Sequence, residues 1–313
     1  MDLTIETRGL TRLYGKRRVV DDLRLEVPRG SVFGFLGQNG AGKTTTMRLL
    51  LGLIAPSAGE VLMFGKPLRE DPLGLLARTG ALVEGPGFYP YLSARRNLTL
   101  LARGTRRLDR PESAVDEALE AVELSDRADD RYGTYSRGMK QRLGIAWAIL
   151  GRPELVLLDE PLNGLDPPAV LRIRGVIADL AKKGTTVFLS SHLLHEVEVG
   201  CDRVAIIDRG RLISQGSVKE LLRPDHAVLE VETSDLALAA QTASNLPFVR
   251  AARTETTELG REALVVELEA GRAAELNRAL VEKGLAVATV VPRRRTLEDL
   301  YHARVAESRR VPV

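Results

Sequence analysis

The sequence predicts an α/β protein with a parallel-sheet core, followed by a small α+β domain. Two continuous apolar runs of strand length, Leu155–Leu158 and Val187–Leu189, flank a helical segment. Such runs are typical of strands buried on both faces of a parallel sheet. After Leu222 the pattern becomes strand, helix, two strands, helix and strand. The length of 313 residues suits one large and one small domain.

The first elements are short strands and one helix. Alternating polar and apolar residues predict strands at Leu3–Glu6 and Leu23–Val27, with a turn near Tyr14, and together these form a small antiparallel β region. An apolar strand at Val32–Leu36 then leads into a glycine-rich loop, and Thr45–Leu53 has helical composition. The predicted order is therefore strand, loop, helix.

Residues 92–150 are helical in pattern and predict a helical subdomain of about residues 85–150. Its predicted apolar faces comprise Ala114, Ala118, Ala121 and Val122 in one helix, and Leu143, Trp147 and Leu150 in another. This subdomain lies within a first domain of residues 1–222. The pair Pro224 and Asp225 separates it from a second domain of residues 225–313, whose β-α-β-β-α-β order predicts a ferredoxin-like fold.

Composition places the chain among ordinary globular proteins. Hydrophobic residues make up 44% and charged residues 28%. The longest apolar stretches are far shorter than the roughly 20 residues that cross a bilayer, and no signal-peptide pattern is found, so a cytoplasmic protein is expected. The single Cys201 excludes a disulfide within the chain. A net charge of +3 is too small to indicate nucleic-acid binding.

A glycine-rich loop after Val32–Leu36 matches the pattern G-x-x-x-x-G-K-[ST] and lies between a predicted strand and a predicted helix, as that phosphate-binding pattern requires. The loop and the residue after it comprise Gly37, Gln38, Asn39, Gly40, Ala41, Gly42, Lys43, Thr44 and Thr45. Its glycines allow backbone N–H groups to point at phosphate oxygens. Lys43 is predicted to neutralise the β- and γ-phosphates, and the Thr44 hydroxyl to ligate Mg²⁺.

An acidic pair is predicted to be the second half of the site. Asp159 and Glu160 follow the apolar strand Leu155–Leu158, at the carboxyl end where ligands bind in open α/β sheets. Asp159 is predicted to hold Mg²⁺, directly or through water, and Glu160 to polarise the attacking water as a general base. Many phosphate-loop enzymes share these two motifs, so they do not by themselves decide the class.

The segment Tyr135-Ser136-Arg137-Gly138-Met139-Lys140-Gln141-Arg142 resembles the signature sequence of the ABC ATPases. In that family the signature serine and glycine of one subunit contact the γ-phosphate bound by another subunit. The resemblance therefore gives this role to Ser136 and Gly138. A serine hydroxyl and free N–H groups at the start of a helix suit an anion.

Further elements follow in the order of that family. Asp166 and its neighbours resemble the D-loop, which lines the subunit junction. His192, after the strand Val187–Leu189, resembles the switch histidine that contacts the γ-phosphate, and Tyr14 resembles the aromatic residue that stacks on adenine. The resemblance covers about residues 4–220. It implies an ABC nucleotide-binding domain that uses ATP and Mg²⁺, with His192, Lys43 and Glu160 in catalysis.

The resemblance also implies partners. Two copies would bind two MgATP molecules head to tail, because a signature completes only the phosphate loop of another chain. A homodimer is expected, and a heterodimer stays open. A separate transmembrane permease subunit is implied, which would hold this chain peripherally on the inner face of the cell membrane. The aromatic residues Phe88, Tyr89 and Tyr91 are expected to form the socket for that permease.

Two positions depart from the family pattern. Glu84 stands where the family has a glutamine that touches Mg²⁺, and because a carboxylate also ligates Mg²⁺, Glu84 is a candidate metal ligand. Arg137 stands where glycine is commonest, and two orientations stay open: towards the shared γ-phosphate or outward. Three features together resemble the bacitracin-resistance and daunorubicin-exporter type of ATPase: Glu84 with the residues that follow it up to Pro90, the Tyr-Ser-x-Gly-Met-Lys-Gln-Arg form of the signature, and Leu297–Tyr301. This implies export of an antibiotic, a peptide or a lipid-like compound.

Two alternatives also stay open. The first is a non-transport ABC ATPase that acts on nucleic acid or the ribosome, although such proteins usually join two cassettes or insert a long coiled coil, and neither feature is found here. The second concerns residues 225–313, which are either a ligand-sensing module or a dimerisation or packing domain.

Overall fold

A computed structural model describes residues 2–85, 87–104, 110–223, 226–256, 260, 262–293 and 296–310. The chain forms two compact units, one comprising Met1–Val218 with Tyr301–Val313 and the other comprising Lys219–Leu300. The predicted boundary at Pro224 and Asp225 lies outside the described residues. The last helix, α11 (Leu297–Arg310), has residues in both units.

The N-terminal β region of the first unit is a five-stranded antiparallel sheet. Its strands are β1 (Leu3–Tyr14), β2 (Arg17–Leu23), β3 (Glu26–Pro28), β5 (Ala58–Met63) and β6 (Lys66–Pro67). They follow the order β2-β1-β5-β6, and β3 also pairs with β1. The predicted turn after Tyr14 is confirmed. The first strand continues far beyond the predicted Glu6 because it pairs with three neighbours along its length.

The predicted parallel sheet is confirmed as the centre of the first unit. Its six strands are β4 (Val32–Leu36), β7 (Thr79–Leu82), β8 (Leu155–Leu158), β9 (Thr186–Ser191), β10 (Arg203–Asp208) and β11 (Arg211–Ser217). They follow the order β11-β10-β4-β9-β8-β7, and every neighbouring pair is parallel except β10 with β11. Every residue of β4, β8 and β9 is buried, which explains the apolar runs Val32–Leu36, Leu155–Leu158 and Val187–Leu189 within them.

The α-helices between Lys43 and Leu221 have 4 to 16 residues, and the last of them lies mostly in the second unit. They are α1 (Lys43–Leu50), α2 (Pro72–Leu76), α3 (Ala94–Gly104), α4 (Pro111–Ala121), α5 (Arg137–Ile149), α6 (Pro167–Lys182), α7 (Leu194–Gly200) and α8 (Val218–Leu221). The predicted face of α4 was partly wrong. Val115, Ala118 and Leu119 are buried instead of Ala114 and Ala121, because this rotation places the larger side chains inside.

Three phenylalanine side chains fill the centre of the parallel sheet. Phe33 and Phe35 of β4 and Phe188 of β9 are all fully buried. The ring centroids of Phe33 and Phe188 are 5.7 Å apart, and those of Phe35 and Phe188 are 5.3 Å apart. Burying each such side chain stabilises the fold by roughly 1.5–3 kcal/mol. These two strands, which lead into the loops at their ends, are therefore held in place by a well-packed core.

The second unit contains a four-stranded antiparallel sheet in the order β13-β14-β12-β15. Its elements in chain order are β12 (Ala227–Thr233), α9 (Leu236–Ser244), β13 (Val249–Thr256), β14 (Glu262–Leu268), α10 (Ala273–Glu282) and β15 (Val287–Pro292). Ala239 and Ala243 of α9 and Leu276 and Leu280 of α10 are fully buried with the apolar residues of the sheet. Both helical stripes face this core, as their spacing predicts.

Candidate functional site

Three strands end at the same edge of the parallel sheet. Strand β9 lies between β4 and β8. Leu36 pairs in register with Ser191, and Leu158 pairs with Leu189, so the carboxyl ends of these strands are level with one another. The segments that follow them carry the phosphate loop, the acidic pair and His192. This edge is where open α/β sheets bind their ligands.

The phosphate loop leaves no room for side chains at two of its glycines. A Cβ on Gly37 would lie 2.7 Å from the backbone oxygen of Ile207, and one on Gly42 would lie 2.6 Å from that of Val19. Gly42 also has a φ of 109°, which only glycine adopts readily. Gly40, at φ 81°, has open space around it, and Gln38 and Asn39 are exposed. One side of the loop therefore packs tightly against neighbouring backbone, and the other side is exposed.

Lys43 begins α1, and its side chain is only 5% exposed. Its ammonium donates hydrogen bonds to the backbone oxygens of Gly37, at 2.7 Å, and Gln38, at 3.3 Å. The same nitrogen lies 3.3 Å from Oε1 of Glu160. The lysine is thus folded into the curve of its own loop, with its charge next to the acidic pair.

Asp159 links the phosphate loop to the neighbouring strand. Its Oδ2 accepts a hydrogen bond of 2.8 Å from the Thr44 hydroxyl. Its Oδ1 accepts one of 2.5 Å from the Ser190 hydroxyl. Ser190 in turn accepts a bond of 2.9 Å from the backbone N–H of Glu160. Sequence reasoning did not assign Ser190 to the site, although a serine at the end of the adjacent strand was the available signal.

Glu160 stands at a sharp turn after β8, with a φ of 45° that is uncommon for a residue with a side chain. Its Oε2 accepts a hydrogen bond of 2.9 Å from the side-chain amide of Asn163, which sequence reasoning also missed. Nδ1 of His192 is 3.2 Å from the same oxygen but makes no hydrogen bond with it, and this buried nitrogen has no other hydrogen-bond partner. Lys43, Asp159, Glu160 and His192 therefore converge, as predicted from their strand positions.

Tyr14 ends β1 and is 45% exposed. The guanidinium of Arg12 lies over one face of its ring, 4.8 Å from the centroid, and is anchored by a hydrogen bond of 2.7 Å to the backbone oxygen of Ala55. The hairpin reaches the phosphate loop through Val19, whose backbone oxygen packs on Gly42. Tyr14 thus belongs to a hairpin that touches the loop, with its ring accessible.

The signature residues lie at the start of α5. Ser136 is exposed and caps the helix, because its hydroxyl accepts a hydrogen bond of 3.3 Å from the backbone N–H of Met139. A Cβ on Gly138 would be 3.2 Å from that of Ala169 in α6. Asp166 is the exposed residue that precedes α6. Among the described residues, the recorded contacts of this group are with α5 and α6 and not with the phosphate loop.

Glu84 is not brought to the Thr44 and Asp159 pair. Its carboxylate forms an ion pair with Arg48 of α1. Glu84 has a φ of 66°, and Gly85 follows with a φ of 85°.

The expectation that Phe88 is part of an exposed socket is also corrected. Phe88 is buried and packs edge-on against Tyr132, with ring centroids 5.2 Å apart.

The fold and the site together define a phosphate-loop nucleotide hydrolase. The glycine cradle, the inward lysine and the unsatisfied nitrogen of His192 suit the phosphates of a nucleoside triphosphate. The acidic pair at the next strand end supplies the groups that such a reaction needs.

Comparisons with known proteins give the family. Residues 20–163 match the ABC transporter family model. The bacitracin transport ATP-binding protein BcrA of Bacillus licheniformis is 39% identical over 305 residues, covering 96% of this chain and 97% of the relative. The daunorubicin resistance ATP-binding protein DrrA3 of Streptomyces coeruleorubidus is 32% identical over 315 residues, covering 99% of this chain and 98% of the relative. The chain belongs to the ABC transporter family, as an ATP-binding subunit.

Solved structures agree with this assignment. That of cbiO1 from Clostridium perfringens, described as part of the ABC transporter complex cbiONQ, superimposes with a TM-score of 0.65 and 26% identity, covering 79% of this chain and 97% of that one. ATP hydrolysis coupled to transport is therefore the activity of this subunit, and it works with a membrane permease. Nothing in the comparisons supports the nucleic-acid alternative. Within the described residues, no helix is both long and apolar enough to cross a membrane.

Proposed function

We propose that this subunit drives export of an antibiotic, a peptide or a lipid-like compound through a separate permease. The observation that carries the hydrolytic step is the convergence of Lys43, Asp159 and Glu160 at one sheet edge. Export is supported by near full-length relatives that are named for bacitracin transport and daunorubicin resistance. Since the permease lies in the membrane, the chain would bind peripherally at the inner face.

Asp159 and Thr44 are the residues that would hold Mg²⁺. Among the described residues, no group of three or more His, Cys, Asp or Glu side chains is arranged for a metal. Mg²⁺ commonly takes one or two carboxylates and completes its shell with waters and substrate phosphates, so Asp159 beside the Thr44 hydroxyl would be enough from the protein. When bound, the ion would neutralise charge on the β- and γ-phosphate oxygens. Glu84 would join this set only after leaving Arg48.

Glu160 would act as the general base. Its carboxylate accepts the proton of the attacking water, and Asn163 fixes its orientation through a bond of 2.9 Å to Oε2. Lys43 would turn from Glu160 and its loop oxygens to the phosphates as ATP enters, because their charge is greater. His192 would donate to the γ-phosphate from its imidazole ring, whose Nδ1 makes no hydrogen bond here.

Two copies would close head to tail around two ATP molecules, as a homodimer or with a related subunit. Ser136 and Asp166 are exposed and Gly138 only partly buried, and their recorded contacts do not include the phosphate loop of their own chain. The signature helix therefore presents a hydroxyl and N–H groups outward, where they suit the nucleotide of a second copy. A lone chain would hydrolyse ATP slowly.

The permease would dock on Tyr89 and Tyr91. These side chains are 46% and 67% exposed, and their ring centroids are 5.8 Å apart. Replacing both tyrosines with serine is expected to abolish co-purification with the permease while leaving ATP binding intact. Undiminished co-purification would contradict the docking site.

The second unit is proposed to be ferredoxin-like. Its support is the chain order β-α-β-β-α-β together with an antiparallel sheet in which the first strand, β12, lies between the third, β14, and the fourth, β15. Its role would be dimerisation or packing. A small molecule that bound the full chain, and no longer did so once core-facing residues of this unit were altered, would favour the ligand-sensing alternative.

The test of the hydrolytic site is Glu160→Gln, with Glu112→Gln on the exposed face of α4 as the matched control. We expect kcat to fall by at least about 100-fold, as for loss of a general base, while ATP still binds. The variant should also accumulate as a dimer when ATP is added, which size-exclusion chromatography with light scattering would detect. Normal turnover in Glu160→Gln would refute the assignment of the base.

A further inference from the structure

Arg137 lies between Ser136 and Gly138 at the start of α5, and its guanidinium packs on the loop before α6. A Cβ on Gly164 would lie 2.5 Å from Cζ, 2.5 Å from Nη1 and 2.6 Å from Nη2 of Arg137. Three nearly equal distances mean that the flat face of the guanidinium covers Gly164. Gly164 has a φ of 68°, so glycine is required there for its backbone as well as for this contact.

The polar edge of this guanidinium is unused. In the part of the chain that the structure describes, Arg137 has no carboxylate within 4.0 Å and no hydrogen-bond acceptor. By contrast, Arg142, further along the same helix, donates to the backbone oxygens of Val122, at 2.9 Å, and Glu123, at 2.8 Å. A guanidinium has five N–H donors in one plane, so stacking one face on glycine leaves all of them free.

The free N–H donors of Arg137 lie at an exposed part of the surface. Arg137 is exposed, and so are the neighbouring Ser136 and the D-loop residue Asp166. The guanidinium itself lies against Gly164, which fixes the position of the charge before any partner arrives. An arginine fixed in this way is suited to an anion with planar pairs of oxygen acceptors, such as a phosphate.

We infer that Arg137 binds the terminal phosphate of the ATP held by the opposite copy of the chain, beside Ser136. This rests on the proposed head-to-tail dimer. The ligand class is a nucleoside triphosphate, recognised through its γ-phosphate. The serine hydroxyl and the backbone N–H groups that contact the phosphate are uncharged. Arg137 adds a positive charge to this contact, and the charge strengthens closure of the dimer on ATP.

The experiment uses the full chain with Glu160→Gln as the parent, so that ATP is not consumed. Arg137→Met keeps an unbranched stem over Gly164 and removes the charge, whereas Arg137→Lys keeps a charge. The matched control is Arg103→Met, which removes one positive charge from α3, where Arg103 pairs with Glu112 at 2.8 Å. Two quantities are measured: the affinity of the dilute monomer for a fluorescent ATP analogue, and the ATP concentration at which half of the protein is dimeric.

Loss of a charge-assisted hydrogen bond predicts that Arg137→Met raises the ATP concentration for half-dimerisation at least about tenfold. Arg137→Lys should raise it less, and neither variant should change the affinity of the monomer. Arg103→Met should behave as the parent. If Arg137→Met also weakens binding to the monomer, Arg137 acts within its own chain and the inference is overturned.

A parent that dimerises with ATP, combined with an unchanged Arg137→Met variant, would overturn the inference and leave the proposed dimer standing. A parent that does not dimerise with ATP would overturn both. A defect of equal size when ADP replaces ATP would also overturn it, because ADP lacks the γ-phosphate and the contact would then be with the partner protein.

Discussion

Asp21 of β2 is a buried carboxylate that joins the hairpin to the turn beside the phosphate loop. Its Oδ1 accepts a hydrogen bond of 2.8 Å from Arg18, and its Oδ2 accepts one of 2.7 Å from Arg211. Its backbone N–H donates to Gly210, at 2.9 Å, and Gly210 donates to Ala41 of the loop, also at 2.9 Å. We predict that Asp21→Asn destabilises the folded protein without changing its shape.

The size of the effect follows from the exposure of the partners. The Asp21 side chain is 8% exposed, but those of Arg18 and Arg211 are 62% and 53% exposed. Each pair is therefore screened by solvent and contributes at most about 1 kcal/mol, which gives a loss of about 1–2 kcal/mol. At about 2–4 °C per kcal/mol for a unit of this size, Tm should fall by about 2–8 °C.

The loss of stability in Asp21→Asn should also depend on pH. Hydrogen bonds from Arg18 and Arg211 hold the pKa of Asp21 below its ordinary value. A carboxylate with a lowered folded-state pKa contributes stability above its unfolded pKa of about 3.9, and that stability is lost as the pH falls through the folded-state value. The difference in stability between wild type and Asp21→Asn should therefore be constant near neutral pH and disappear in acid.

Urea unfolding at a series of pH values, followed by circular dichroism, measures this difference directly. Asp22→Asn is the matched control, because Asp22 is the next residue and its pair with Arg24 is exposed on both sides, at 65% and 70%. Asp22 also has a φ of 48°, which asparagine tolerates. Equal losses of stability in the two variants, or a loss in Asp21→Asn that persisted unchanged in acid, would refute the stabilising role of the Asp21 ion pairs with Arg18 and Arg211.

Three further outcomes are expected. Gly37→Ala should abolish ATP binding measured by calorimetry, since its Cβ would lie 2.7 Å from the Ile207 backbone; retained affinity would mean that the loop adapts. Tyr14→Ala should raise KM for ATP and leave kcat unchanged, while Tyr14→Trp restores KM, because only a flat ring is needed; a fall in kcat alone would argue against stacking. Cys201 as a residue is partly exposed, but its sulfur packs towards Gly34 of buried β4, and burial raises its pKa to about 12. A thiol reagent at pH 8 should therefore label Cys201 only after unfolding in urea, and rapid labelling of the native protein would contradict this.

Much of the site was predictable because its motifs are continuous in sequence. The phosphate loop and the acidic pair each follow an apolar strand, and parallel strands place their carboxyl ends at one edge. Ser190 and Asn163 were missed because their roles depend on which strand lies beside β8 and on the turn of the chain at Glu160. The pairing of Glu84 with Arg48 was missed for the same reason, since 36 residues separate them.

The amino-acid sequence alone was enough to predict the class of the protein, the order of its elements, and the positions of the glycine-rich loop and the acidic pair, because these depend on local backbone requirements and on burial of apolar runs. Tertiary structure alone decided the face of α4, the pairing of Glu84 and the direction of Arg137. Each of these depends on packing between segments distant in the chain. Arg137 shows the difference most clearly, because its place is fixed by a glycine 27 residues away, in the loop before α6.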